Sequence, residues 1–247
     1  MLSPGQKLTE RKRLLALPEL ERPRTVRLKF RKVGSLQYIS HLDLQRTFNR
    51  VITRACIPAW YTKGFNPHAK LVFSTPLSVG AQSVYEFLDI RIDRDMECQE
   101  IMARLNRELT DELQIEQAYV PTDDFSEIRW ASYELEIHSK GLTESDVDAI
   151  RQTLTTSPLL LTKKTKSGEK EIDIVPLIHS AEVSFDVEKQ VVKLCAVLKA
   201  SAAEYLNPEM LIVGLKEKNG ILRGNPVEEW YTIVRTSVMK EDFTLFV

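Results

Sequence analysis

Apolar and polar residues alternate with a period of two near the start of the chain, in "TVRLKFRKV" at residues 25–33. The apolar positions are Val26, Leu28 and Phe30, and the basic positions between them are Arg27, Lys29 and Arg31. This period is typical of a half-buried β-strand. One face of the strand should therefore lie in a core, and the other should be cationic.

A helical pattern follows in "SHLDLQRTFNRVITRAC", residues 40–56. Ser40 with Asp43 three residues later predicts an N-terminal cap. The apolar stripe consists of Leu44, Phe48, Val51, Ile52 and Ala55. Arg46, Arg50 and Arg54 are spaced by four residues, which predicts a separate basic ridge on the helix. Pro58 should end the helix.

The order strand, helix, strand, strand, helix, strand fits the chain twice. The first pass has strands at 25–33, 83–92 and 113–120, a helix at 96–109, and one more strand within 59–62 or 70–74. The second pass has strands at 129–139, 171–187, 190–200 and 229–239, helices at 143–154 and from 207, and an additional strand or hairpin at 159–164. This order predicts an α+β fold of two tandem ferredoxin-like (βαββαβ) domains with antiparallel sheets.

Length supports the same division, because 247 residues exceed one typical domain. The expected boundaries are a lead segment at 1–24, a basic domain at 25–124 and a second domain at 125–247. The lead segment contains Pro18 and Pro23 and little apolar periodicity, so we expect one or two frayed helical turns there.

Charge is distributed unevenly, although the net charge is only −1. Residues 22–70 contain eleven lysines and arginines against one acidic residue, Asp43. Residues 86–129 contain thirteen acidic residues against five arginines. Such asymmetry indicates a surface that faces a polyanion. The alternative is that the two regions neutralise each other within the fold.

The segment "YTKGFNPHAKLVFSTPLSVG", residues 61–80, combines turn residues with polar side chains that a turn does not need. Gly64 and Gly80 permit positive φ, and the residue before Pro67 is forced toward extended geometry. The additional polar side chains are Tyr61, Lys63, Asn66, His68 and Lys70. We therefore interpret the segment as a candidate binding loop.

Aromatic residues on a neighbouring strand extend the candidate surface. Tyr85 and Phe87 should lie on the sheet face that also presents Arg27, Lys29 and Arg31. Cations for phosphates and rings for bases are what binding of single-stranded RNA requires. A second domain or a protein partner could cover the same face instead.

Catalysis is a separate hypothesis. His41 and His68, with Lys63 or Tyr61, could support metal-independent RNA cleavage if they share a cleft. Three cysteines without metal-ligand spacing predict no metal site and no cofactor. No run of 18 apolar residues and no secretory signal occur, so we expect a cytoplasmic protein that does not span a membrane.

The motifs "ISHLDLQR", "GFNPHAKL" and "PLSVG" resemble the radical-SAM-linked family, a bacterial domain of unknown function. The domain occurs alone or fused to the C-terminus of a radical-SAM protein that has a cobalamin-binding-like region. The resemblance implies a radical-SAM protein acting in trans, because this chain has no CxxxCxxC motif. It also implies a gene context beside an RNase E/G-type ribonuclease. The tandem architecture further resembles CRISPR repeat-processing endoribonucleases, without a shared motif.

Three functional hypotheses follow. The leading one is an RNA-binding accessory protein that presents RNA to a separately encoded radical-SAM enzyme. The others are a metal-independent endoribonuclease and a scaffold whose basic face docks an acidic protein.

Overall fold

The computed structural model describes residues 4–65, 67–156, 158–165 and 168–247. The chain divides into two compact units, one ending at Phe125 and one spanning Ser126–Phe246. The predicted α+β class is confirmed, with five α-helices and antiparallel strand pairing within each unit in the described residues.

Among its described residues, the N-terminal unit contains three α-helices and four strands. In chain order they are α1 (Pro4–Leu15), β1 (Glu19–Lys32), α2 (His41–Arg54), β2 (Leu71–Phe73), β3 (Ala81–Arg94), α3 (Cys98–Asn106) and β4 (Leu113–Tyr119). Neighbouring strands lie in the order β4-β1-β3-β2. The apolar face of β1 and β3 packs with the apolar stripes of α2 and α3 in one core.

Helix α2 begins and ends where its sequence predicts. The Ser40 hydroxyl oxygen accepts a hydrogen bond from the Asp43 backbone N–H at 3.1 Å, so the predicted cap is confirmed. At the other end, the Cys56 N–H donates to Thr53 O and the Ile57 N–H donates to Ile52 O, which is a Schellman motif. Cys56 therefore adopts φ +52°, a left-handed conformation that is unusual for a residue other than glycine.

The lead segment is more structured than expected. Helix α1 has 12 residues, about three turns, and Leu14 is buried in the core of this unit. Strand β1 begins at Glu19 rather than at residue 25, and it contains Pro23. Its register with β3 shifts between Glu19 and Arg24, and such an irregularity accommodates a proline that has no N–H to donate.

The C-terminal unit repeats the order with a hairpin inserted. Its elements are β5 (Trp130–His138), α4 (Asp146–Thr155), β6 (Leu160–Thr165), β7 (Gly168–Asp173), β8 (Ile178–Asp186), β9 (Val191–Lys199), α5 (Glu209–Asn219) and β10 (Trp230–Met239). Its main strands lie in the order β10-β5-β9-β8, and β6 pairs with β7 separately. The expected long strand at 171–187 is broken by a short helical turn at Val175–Leu177.

Candidate nucleic-acid interface

Arg27 is buried within the N-terminal unit, with only 1% of its surface exposed. Its Nε donates to Asp89 Oδ1 at 2.8 Å, and its Nη1 donates to Asp123 Oδ1 at 2.7 Å. The ring of Phe125 lies 4.2 Å from the guanidinium carbon. The expectation that Arg27 is exposed to RNA is therefore wrong, because two carboxylates and a ring already enclose its guanidinium.

The rings expected to stack on bases are buried as well. Phe87 is fully buried and Tyr85 is 8% exposed, and the two rings meet edge to face at 5.4 Å between centroids. The Lys29 ammonium lies 3.8 Å from the centroid of the Tyr85 ring. Burial raises the pKa of the Tyr85 hydroxyl. Strand β3 thus carries buried side chains on both faces, and the expectation of an open aromatic face is wrong for Tyr85 and Phe87.

Part of the basic segment at residues 22–70 is neutralised by the acidic segment at residues 86–129, which was the alternative to a surface that faces a polyanion. Besides the ion pairs of Arg27, Arg24 pairs with Asp95 at 3.2 Å and Arg54 pairs with Glu108 at 3.0 Å. Arg31 donates from Nη2 to the Asp111 carbonyl oxygen at 3.0 Å. These arginines connect elements of the N-terminal unit, although the Arg54 side chain stays 41% exposed.

The basic ridge of α2 retains two outward-facing arginines. The Arg46 side chain is 61% exposed and pairs with Asp43 on the same helix at 3.1 Å. Arg50 is exposed and has no ion pair within the described part of the chain. Such local or absent pairing leaves both guanidiniums accessible to a phosphate.

The candidate loop projects from the edge strand of the sheet. Before the loop, the Trp60 N–H donates to Arg91 O at 2.8 Å, and after it β2 pairs with β3. Across the loop, the Thr62 N–H donates to His68 O at 3.0 Å, and the His68 N–H donates to Thr62 Oγ1 at 3.2 Å. The two ends of the loop are thus held together.

Phe65 lies at the tip of this loop, between its two anchored ends, and is fully exposed. Gly64 before it has φ +150°, a conformation that favours glycine. We define the loop surface as the exposed residues Tyr61, Lys63, Phe65, His68 and Lys70. Asn66, also predicted to bind RNA, lies outside the described residues.

Sequence reasoning missed Phe65, although a signal was present. An aromatic residue between Gly64 and Pro67 fits neither the period of a strand nor that of a helix. A large apolar side chain at such a position has no core to enter, and its exposure follows.

The two candidate catalytic histidines have different neighbours. The His41 ring contacts the Phe73 ring edge to face at 4.9 Å, whereas His68 Nδ1 lies 3.3 Å from Thr62 Oγ1. His68 and Phe73 are five residues apart on a segment that enters β2. An extended chain rises about 3.3 Å per residue, which places His68 roughly 16 Å along the chain from Phe73, the ring that His41 contacts. The two rings thus contact different residues, and their action as an acid and base pair stays a prediction.

Over the described ranges, no group of three or more His, Cys, Asp or Glu side chains could hold a metal ion. No helix among those residues is long and apolar enough to cross a membrane. A cytoplasmic location stays a prediction.

Comparisons with solved structures give only distant likenesses. A chain of the Cbf5-Nop10-Gar1 complex is 12% identical with a TM-score of 0.44, and the match covers 90% of this chain and 51% of that one. This chain thus spans about half the length of that one. DyPB from Rhodococcus jostii RHA1 is 11% identical with a TM-score of 0.20, over 90% of this chain and 95% of that one. At these TM-scores, neither likeness bears on function.

Comparison with curated proteins finds no match. Residues 25–208 match the model of a family described as "Uncharacterized protein conserved in bacteria (DUF2344)". The matched range includes the whole candidate interface and most of both units. The chain belongs to this bacterial family, DUF2344.

Proposed function

We propose that this protein binds single-stranded RNA through the loop surface together with Arg46 and Arg50. The observation that carries the proposal is Phe65, an exposed ring flanked in sequence by the exposed Lys63 and Lys70. An aromatic platform beside lysines offers stacking to a base and charge to the neighbouring phosphates. Binding of this kind tolerates many sequences, because every base has a π face.

The exposed ring favours RNA over an acidic protein as the partner. An acidic protein would use the same lysines and arginines, but a saturated apolar side chain could replace the ring in such an interface. Stacking on a base requires a π system. The two partners therefore differ in how they respond to the loss of aromaticity alone.

An accessory role is the second part of the proposal. The resemblance to the radical-SAM-linked family supports a separately encoded radical-SAM enzyme as the protein that acts on the bound RNA. In this arrangement the chain supplies recognition, and the partner supplies the reaction.

We also propose that both units are ferredoxin-like domains. The strand order β4-β1-β3-β2 and its counterpart β10-β5-β9-β8 support this, since each comes from two strand–helix–strand repeats. The inserted β6-β7 hairpin distinguishes the C-terminal unit.

Fluorescence anisotropy with an unstructured uridine 12-mer tests RNA binding. Phe65→Ala and Phe65→Leu should each weaken binding by about 5- to 100-fold, the value of one stacked base. Phe65→Tyr should bind like the wild type. Equal binding by the leucine and tyrosine variants would favour protein docking, and no RNA binding by the wild type would refute the proposal.

A charge variant provides an independent measurement. Lys63→Glu should reduce the slope of log affinity against log salt concentration by at least about 0.7, the contribution of one contact to a single strand. Lys218→Glu, at an exposed lysine of α5, is the matched control and should leave the slope unchanged.

A further inference from the structure

A cleft of about 290 Å³ lies beside the loop surface, within the N-terminal unit. Its residues come from α1, from the end of α2, from the start of the loop and from the end of β3. Leu14, Ile57 and Ala59 provide a buried apolar wall. Tyr61 belongs both to this cleft and to the loop surface. The volume lies at the lower end of small-molecule sites, which suits one planar ring system.

Asp93 contributes a carboxylate to the cleft, and no other residue in the described part of the chain donates a hydrogen bond to it. Its backbone N–H donates to the Pro58 carbonyl oxygen at 3.0 Å, which fixes β3 against the end of α2. The adjacent Arg94 instead donates to Leu17 O at 2.8 Å and to Glu19 Oε1 at 2.6 Å. Burial raises the pKa of the Asp93 carboxyl, and the charge of Arg94 only partly offsets this effect.

A partly desolvated carboxylate to which no other residue donates keeps its hydrogen-bonding capacity open to a ligand. Its two oxygens only accept hydrogen bonds when ionised, so a ligand with two adjacent donors matches the carboxylate well. Arg11, exposed at the rim of the cleft, has no ion pair among the described residues and can meet an anionic group on the same ligand.

Among the RNA bases, one has the required edge. Guanine presents N1–H and N2–H₂ side by side on its Watson–Crick edge, whereas adenine, cytosine and uracil each place an acceptor where one of these donors would be. An ionised carboxylate repels those acceptors and pairs with both guanine donors. The apolar wall suits the faces of the ring, and the Arg11 guanidinium suits the phosphate.

We propose that the cleft binds a single guanine base, either from a free guanine nucleotide or from an unpaired position in RNA. The RNA form of this proposal rests on the proposed function, because it places guanine recognition next to the loop surface. The nucleotide form is tested separately, without RNA. Asp93 sets the base preference, and Tyr61 connects the cleft to the strand held by the loop.

Cys56 provides a direct readout because its half-buried thiol lines the cleft. We expect saturating guanosine monophosphate to slow alkylation of Cys56 by iodoacetamide about tenfold or more, measured by mass spectrometry. Cys195, which is exposed on β9, serves as the internal control and should react at an unchanged rate. Equal protection by adenosine monophosphate, or no protection by either nucleotide, would overturn the nucleotide form.

Inosine monophosphate tests the two-donor argument without any change to the protein. Inosine keeps N1–H but lacks the N2 amino group, so it should bind about tenfold more weakly than guanosine monophosphate, as expected for one lost hydrogen bond to a charged group. Asp93→Asn should reduce the preference for guanosine over adenosine monophosphate by about tenfold. An unchanged preference in a folded variant would remove Asp93 from the site.

The RNA form is tested with three uridine 12-mers that carry guanosine, inosine or adenosine at one central position. Guanosine should bind about tenfold more tightly than adenosine, with inosine between them, and Asp93→Asn should abolish the difference. Equal binding of all three would refute guanine selection in RNA while leaving the proposed function intact. Failure of every RNA to bind, with guanosine monophosphate still protecting Cys56, would refute the proposed function and leave the nucleotide form standing.

Discussion

Replacing Arg27 tests whether this residue holds the fold together or binds RNA. Arg27→Met keeps the length and apolar stem of the side chain and removes its charge. In the wild type the guanidinium donates two hydrogen bonds to the Asp89 carboxylate, at 2.8 and 3.0 Å, and one to the Asp123 carboxylate at 2.7 Å. Burial acts to lower the pKa of Arg27, but the hydrogen bond and charge of Asp89 outweigh this effect and raise it.

The magnitude follows from the burial of all three side chains. The side chain of Arg27 is 1% exposed, and those of Asp89 and Asp123 are 16% and 8% exposed. Removing one partner of a buried ion pair costs about 3–5 kcal/mol, because the remaining charge keeps its desolvation cost and loses its attraction. Arg27→Met should therefore lower the free energy of unfolding of the N-terminal unit by about 3–5 kcal/mol. Asp89→Asn and Asp123→Asn added together should restore part of this loss.

Urea denaturation followed by circular dichroism measures the effect, with RNA anisotropy measured on the same variants under native conditions. Arg46→Met is the matched control, since an exposed arginine pair contributes at most about 1 kcal/mol. A loss below about 1 kcal/mol for Arg27→Met, together with a tenfold weaker affinity for RNA, would refute the structural role. Arg27 would then be assigned to RNA binding instead.

Three further outcomes are expected. Cys56→Gly should raise the free energy of unfolding by about 1 kcal/mol in urea denaturation, because glycine adopts the left-handed conformation without strain. A decrease would show that the packing of the thiol outweighs the backbone strain. Lys32→Met should lower the free energy of unfolding by about 2–3 kcal/mol in the same assay, because the buried ammonium donates to Leu36 O at 3.1 Å and Ala81 O at 3.2 Å. A near-zero effect would contradict this prediction. Since the folded pKa of Asp93 is raised, its contribution to stability is present below about pH 4 and is lost as pH rises through the folded pKa. Melting temperatures measured between pH 3.5 and pH 7 should therefore show Asp93→Asn gaining over the wild type as pH rises, and a constant difference would exclude this linkage.

The fold was largely predictable because its signals are local. The period-two alternation in β1 and the capped apolar stripe of α2 each lie within one element. The start of β1 was not predictable, because Pro23 normally indicates the end of a strand. It fits within β1 only because the register shifts beside it. That shift depends on the pairing of β1 with β3, which is distant in sequence.

The candidate site was less predictable because exposure depends on distant partners. Alternation correctly places Arg27 and Phe87 on the face opposite the helix-packed core, but it does not reveal whether that face is covered. Asp123, which holds Arg27, lies 96 residues away along the chain. By contrast, exposure of Phe65 follows from its immediate neighbours Gly64 and Pro67, and that inference was open to sequence reasoning.

The basic segment as a whole therefore overstates the binding surface. Arg24, Arg27 and Arg54 pair with acidic residues of the same unit, and their charge holds strands and helices together. The lysines that stay exposed on the loop lie on the same segment as an exposed ring, Phe65. Charge alone would draw any polyanion, whereas a ring beside charge favours a strand with open bases. In the proposed guanine site, Asp93 would add a feature that cations cannot supply, a preference among bases.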